Sequence, residues 1–287
     1  MDFLPSEEAF KEDEQKENTA REVEKILSKK YECISLIADD NIIHRLKEEN
    51  IDLVFNLCND IRGDSKLAQL PVILEFADIP YTGSSVLGHT LAINKIYSSN
   101  IFKTYDIPTP NFISVYSTDD LQDLGMKFPI LIKPNDEGSS RGIHQDSLVF
   151  DMDTLIKKVD DELKIYNPPI MLNEYIEGRE FPVGVIGNDR DIIVLPIQEV
   201  DLSNLPDNLM KFYSFEIKAY KALMLKDYAR VDIILEDNTP YVLEVNSLPG
   251  LMKGKSSLYR MVETIDLGYE NLVLKIVETA IKRYNFK

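Results

Sequence analysis

Tryptophan is absent from this 287-residue chain, and only two cysteines and three histidines occur. Cys33 and Cys58 show no metal-binding or redox spacing, which excludes a disulfide scaffold, a zinc finger and Cys-x-x-Cys chemistry. Two isolated thiols suit a reducing cytoplasm. His44, His89 and His144 are scattered, and each reads as a surface or loop residue. Without a Ser-His-Asp or Cys-His set, covalent catalysis by such a group has no candidate. No apolar run approaches the roughly 20 residues of a membrane-spanning helix, and the mostly charged N-terminal stretch does not resemble a signal peptide. Positive charge is in the minority. Against 49 Asp and Glu stand 32 Lys and Arg, a net charge of −17, which argues against nucleic acid or an anionic membrane as partner. There is no internal repeat and no low-complexity linker. What the chain has is 44% hydrophobic residues, enough for a sizeable core shared among two or three lobes.

The richest segment is Tyr228-Ala229-Arg230-Val231-Asp232, followed by Tyr241-Val242-Leu243-Glu244-Val245-Asn246-Ser247-Leu248-Pro249-Gly250. Val231, Ile233 and Leu235 alternate with Asp232 and Ile234, Asp237-Asn238 makes a turn, and Val242 to Val245 rebuilds a strand. Residues two apart on a strand face the same way, so Glu244 and Asn246 project together, and Asp232 on the neighbouring strand joins them. Two carboxylates and an amide oxygen are hard ligands suited to Mg²⁺ or Mn²⁺. A bare Asp-x-Glu pattern would read as a hairpin with acids on its wet face. Here Asn246 runs straight into Ser-Leu-Pro-Gly within a hydrophobic stretch, where unpartnered acids are costly. Arg230 sits beside the acids, where an anion would need a bidentate partner.

Arg-Val-Asp followed by Leu-Glu-Val-Asn-Ser-Leu-Pro-Gly resembles the metal and oxyanion segment of ATP-grasp ligases, and most of all that of the D-alanine–D-alanine ligases and their relatives. The likeness runs from about Asp52 to the C-terminus, with a fainter continuation upstream. It implies two bound Mg²⁺ (or Mn²⁺) ions held by Asp232, Glu244 and Asn246, with Glu244 bridging. It gives Arg230 and the Gly250 N–H to the reacting oxyanion. It also implies a place in peptidoglycan synthesis for the cell wall.

Other segments extend the resemblance. Lys95 opens a helix and matches a lysine on the ATP phosphates. Phe128 to Pro134 is a strand carrying Lys133, followed by Asn135-Asp136-Glu137-Gly138-Ser139-Ser140-Arg141-Gly142. Small residues with exposed N–H groups can wrap phosphate oxygens. Alone, this loop would read as a hairpin turn. After strand-Lys-Pro it matches the mobile phosphate-covering loop of the ATP-grasp small lobe, with Glu137, Gly138, Ser139 and Ser140 toward the nucleotide. Ser139 matches a serine near substrate, and Arg141 stands where a small apolar residue is commoner. In Met171 to Phe181 the backbone at Glu174, Tyr175 and Ile176 is expected to meet adenine, and Glu180 the ribose.

Three departures stand out. Met1 to Pro5 offers only a stub of a first strand. Ala20-Arg21-Glu22-Val23 nominates Glu22 for the first substrate's amine, but without the flanking glycine-rich turn it reads first as a solvated helix residue. Phe212 to Lys218 resembles a Tyr-x-Tyr-Glu-x-Lys segment whose lysine contacts phosphate, which nominates Lys218. Relatives then insert roughly thirty residues, beyond an ordinary connection, where this chain has only Ala219 to Asp227. Either a lid is missing or a segment has been left out. The second-substrate loop, Leu251 to Leu258, is longer than in D-alanine ligases and carries Lys253 and Lys255, which would suit an acidic substrate or carrier.

The expected fold is α/β: an N-terminal parallel-sheet lobe (1–92), a central ATP-grasp small lobe (93–170) and a C-terminal catalytic lobe (171–287), the last two sandwiching ATP. The expected activity is ATP-dependent joining of amino acids through an acyl-phosphate, D-alanine being the first candidate. The expected setting is the cytoplasm, with small-molecule substrates, no nucleic acid or membrane partner, and a possible homodimer. Two alternatives remain: a ligase for a different amine or a carrier thiol, and an ATP-binding protein that has lost catalysis.

Overall fold

The computed structural model describes residues 7–59, 65–138, 141–196 and 212–286. Helices α1 (Glu7–Leu27), α2 (Ile42–Glu48), α3 (Gln69–Phe76) and α4 (Val86–Ile93) build the N-terminal lobe. Ile42, Leu46, Leu70, Leu74, Ile79 and Tyr81 form its core. The parallel sheet expected here is reduced, among the described residues, to one bridge between Val54 and Tyr81. Its bonds are Val54 N–H to Pro80 O (2.8 Å) and Thr82 N–H to Val54 O (2.9 Å). Residues 33–38 are extended but join no ladder, and Ile34 (46% exposed) and Ile37 (77%) face solvent. A parallel strand needs a neighbour to take its backbone groups, and no described segment supplies one.

Helix α5 (Lys95–Thr104) leads into a four-stranded antiparallel sheet of order β1-β4-β2-β3, formed by β1 (Phe112–Val115), β2 (Ile130–Pro134), β3 (Leu148–Val149) and β4 (Ile170–Glu174). Helix α6 (Met152–Ile165) covers it. The Asp151 carboxylate caps that helix by accepting from Thr154 N–H at 2.8 Å, and Leu155, Val159 and Glu162 are buried at helical spacing. The domain boundary expected after residue 170 therefore moves, because all of β4 pairs with β1 and β2.

The second sheet has order β6-β5-β7-β8, from β5 (Arg179–Ile186), β6 (Ile193–Val194), β7 (Tyr228–Glu236) and β8 (Thr239–Asn246). Odd-numbered β7 residues Ala229, Val231, Ile233 and Leu235 pack with Phe181, Val183, Val185, Val242 and Val245 against α5 and against α7 (Phe212–Ala222). The opposite face of β7 carries Arg230 and Asp232. The pairs Arg230↔Asn246 and Asp232↔Glu244 are in register, whereas Ile233 faces Val242. Leu243 is thus an extra residue, a bulge that lets Val242 enter the core while Glu244 stays on the cleft face. Outside the sheet, Val242 N–H donates to Pro108 O (2.8 Å) and Val242 O accepts from Thr109 Oγ1 (2.9 Å).

Helices α8 (Ser257–Glu263) and α9 (Gly268–Arg283) complete the fold, burying Met261, Val262, Leu272, Val273 and Ile276 with Val23, Ile26 and Leu27 of α1. No helix among the described residues is long and apolar enough to cross a membrane.

Candidate active site

The pairing of β7 with β8 gathers the strongest sequence candidates. Arg230 Nε and Nη2 donate to the two Asp232 oxygens, each at 2.7 Å. The Asn246 amide lies 2.9 Å from Asp232 Oδ2 and 3.5 Å from Glu244 Oε1. Lys95 Nζ stands 3.9 Å from Glu244 Oε2. Burial pushes the Asp232 carboxyl above the usual carboxylate range; Arg230 pulls it down, while Glu244 and Glu180 push it further up. Burial also lowers Lys133, against the attraction of Glu244 and Glu180. Burial likewise lowers Lys95, although Glu244, Asp136 and Glu137 oppose it. A buried carboxyl raised further by neighbouring acids is one that a divalent cation would relieve. Two carboxylates and an amide from adjacent strands form an oxygen donor set that fits magnesium.

The phosphate-loop residues approach from the other sheet. Asn135, just after β2, is tied to the start of α5: Lys95 N–H donates to Asn135 O and Ile96 N–H to Asn135 Oδ1, both at 3.0 Å. Lys95 Nζ donates to the Glu137 carbonyl. The Glu137 carboxylate accepts from Lys66 Nζ at 2.7 Å and lies 3.4 Å from Arg141 Nε. Gly138 has open space where a Cβ would be. Ser139 and Ser140 lie outside the described residues.

The adenine-side candidates stand at the end of β4. Glu174 N–H donates to Asn111 O (2.8 Å) and Tyr175 N–H to Pro129 O (3.2 Å), while Ile176 is buried. Glu180, opposite Ile234, shares the cleft face with Pro182, which pairs with Asp232. Glu22 is far from the acids in sequence and partners a different segment: its carboxylate is 3.4 Å from Lys253 Nζ in the second-substrate loop. Gly250 is exposed, and a Cβ there would meet open space.

Lys218 takes its place in a helix, and one expectation, that for His89, is corrected. Phe212–Ala222 is one helix, and Lys218 lies on its exposed face with its ammonium 5.3 Å from the Phe215 ring centre. Ala219 and Tyr220 of that helix pack inward, and Glu216 goes with them, fully buried with both carboxylate oxygens unpartnered among the described residues. His89 is not a surface residue. It is fully buried in α4, its Nδ1 2.8 Å from Ser247 Oγ, directly after Asn246. The signal for that was local: His89 stands in the otherwise apolar run Val86-Leu87-Gly88-His89-Thr90-Leu91. Lys66 carried no comparable signal, because only the fold brings it to Glu137.

A family model described as "D-ala D-ala ligase C-terminus" matches residues 101–218 and, again, 210–278. An uncharacterized protein, y4sG of Sinorhizobium fredii, is 32% identical over 263 residues, which cover 81% of this chain and 75% of that protein. A D-alanine–D-alanine ligase of Carboxydothermus hydrogenoformans is 33% identical over 285 residues, covering 88% of each. The crystal structure of a D-alanine–D-alanine ligase from Bacillus anthracis complexed with ATP is similar with a TM-score of 0.80 at 26% identity, over 98% of this chain and 96% of that one. With the Arg230, Asp232, Glu244 and Asn246 constellation facing Lys95 across a cleft between two antiparallel sheets, the chain belongs to the D-alanine–D-alanine ligase family of ATP-grasp proteins.

Proposed function

We propose that this protein joins two amino acids through an amide bond at the expense of ATP. The observation that carries this reading is the alignment of Arg230, Asp232, Glu244 and Asn246 on one face of β7 and β8, opposite Lys95. In the first step a substrate carboxylate oxygen attacks the γ-phosphorus and the bond to ADP breaks, leaving an acyl-phosphate. In the second, an amine attacks the acyl carbon, the bond to phosphate breaks, and the nitrogen loses a proton.

Lys95 and Lys133 screen the phosphate charge. Arg230, released from part of its bond to Asp232, holds the oxygen on which negative charge develops, and the Gly250 N–H supports it. Glu174, Tyr175 and Ile176 border the base, and Glu180 the ribose. Asp232, Glu244 and Asn246 would hold two Mg²⁺ ions, which bring Lewis-acid stabilisation of phosphate oxygens. Use of ATP and free amino acids suits the cytoplasm, and Val72 and Phe76, exposed on α3, suit a face for a homodimer.

One observation favours an acceptor other than D-alanine. The loop after Gly250 carries Lys253 and Lys255. The test is ADP release from MgATP with D-alanine and with a panel of other D- and L-amino acids, acidic ones included, with products identified by mass spectrometry. Dipeptide from D-alanine alone establishes the D-alanine reaction. Product only with another amine keeps the chemistry and moves the substrate. No ADP release with any of them rejects the ligase reading.

A further inference from the structure

Lys66 enters the cleft from the N-terminal lobe, outside the stretches that the family model matches. Its side chain is only 16% exposed, and its ammonium is held by Glu137 of the phosphate loop at 2.7 Å. Glu137 is bound at three points: its carboxylate by Lys66 and Arg141, its carbonyl by Lys95 Nζ. Lys66, Lys95, Glu137, Glu244 and Asn246 line one cavity of about 70 Å³. Ligand sites run to several hundred Å³, on the order of 300–1,000, so a triphosphate enters only when Glu137 moves away. Lys66 is then left as a largely buried ammonium without its anion, which is costly unless another anion arrives.

The chain has a matching vacancy of role. The lysine expected to contact phosphate, Lys218, stacks on Phe215 at the exposed face of α7. Lys95 and Lys133 reach the cleft from α5 and β2, the nucleotide side. Lys66 comes from the N-terminal lobe, the side on which the family likeness nominates Glu22 for the first substrate's amine. The part of a nucleotide that meets both sides is its terminal phosphoryl group.

We propose that Lys66 binds the γ-phosphate, exchanging the Glu137 carboxylate for it when nucleotide enters, and so fills the place of the expected Lys218 contact. The proposal rests on the ATP-dependent ligase reading, but its test needs no turnover. Calorimetry of the full chain with Mg²⁺ would compare ADP with the non-hydrolysable β,γ-imido analogue of ATP. Lys66→Met is expected to weaken the analogue roughly tenfold, the scale of one charge-assisted phosphate contact, with ADP affinity unchanged within about twofold, and Lys66→Arg to restore part of the loss. Glu137→Gln, which removes the competing anion, is expected to tighten the analogue more than ADP, and it keeps the test open if Lys66→Met fails to fold. Lys218→Met is expected to leave both affinities unchanged. Equal loss for both nucleotides, tighter binding of both by Lys66→Met, no change, or the selective loss appearing in Lys218→Met would each overturn it. Absence of ADP release from the wild type with every amino acid would remove the ligase reading and leave the calorimetric result standing.

Discussion

Arg283, in the last turn of α9, grips the fully buried Asp227 with Nε at 3.1 Å and Nη2 at 2.8 Å. The same guanidinium donates to the carbonyls of Tyr81 (2.7 Å) and Gly83 (3.2 Å) in the N-terminal lobe. Asp227 in turn accepts from Gly83 N–H and from Asn188 Nδ2, so one ion pair ties together the N-terminal lobe, the β5–β6 turn and the entry to β7. Removing either partner leaves a buried charge uncompensated. Arg283→Leu or Asp227→Ala is expected to cost about 3–5 kcal/mol in urea unfolding, and the double variant less than the sum of the two. Additive losses would mean that the two residues do not act as a pair.

Glu216 gives a pH signature of the opposite sign to an ordinary surface acid. Burial pushes its carboxyl up to about 8, well above its unfolded value of 4.5. The folded chain therefore holds a proton that the unfolded chain releases, so this group's contribution is full below the unfolded pKa and is lost as pH rises toward 8. Glu216→Gln is expected to be the more stable protein at pH 8, by about 3 kcal/mol, and to match the wild type near pH 4. Parallel stability curves for the two proteins would refute this.

His89 works on the acid side. Burial lowers it to about 4 from an ordinary 6.5, so unfolding takes up a proton between those values and stability falls as pH drops through them. The difference in unfolding free energy between wild type and His89→Leu should change over that window and level off above it. Ser247→Ala removes the Nδ1 partner alone, and is expected to cost about 1 kcal/mol with a smaller change in pH dependence.

At the cleft, Asp232→Asn and Glu244→Gln are expected to lower ADP release by at least about 10³-fold, the latter without lowering the unfolding midpoint. Asp232 is tied to Arg230 and Glu244 has no such close partner, so Glu244→Gln should be as stable as the wild type or more so when no magnesium is present. Loss of stability in Glu244→Gln would assign that acid a structural role.

Much of this was legible in the residues. The alternation Arg230-Val231-Asp232 and the spacing Glu244-Val245-Asn246 placed the site on one sheet face, because period-two geometry is local. The same rule misplaces Val242, two residues before Glu244, since the bulge at Leu243 is set by pairing with β7 and not by β8 alone. The likeness that nominated Lys218 says nothing of local structure, and the stretch is a helix whose Ala219 and Tyr220 pack inward. The apolar run around His89 hints at its burial, but its Ser247 partner lies 158 residues away and that of Lys66 71 residues away, which no local pattern encodes. The parallel sheet expected of the N-terminal lobe needs paired neighbours, and Ile34 and Ile37 face solvent instead.

The Pro108 and Thr109 contacts to Val242 guard the sheet as well as shape it. Strand β8 lies at the edge of its sheet, the position from which an unfolded neighbour could extend the ladder and begin aggregation. At Val242 both outward backbone groups are already taken, one by a carbonyl and one by a hydroxyl, and Pro108 has no N–H with which to pass the pairing on. The strand that carries Glu244 and Asn246 is thereby kept open to ligands on its face and closed to other chains along the middle of its rim.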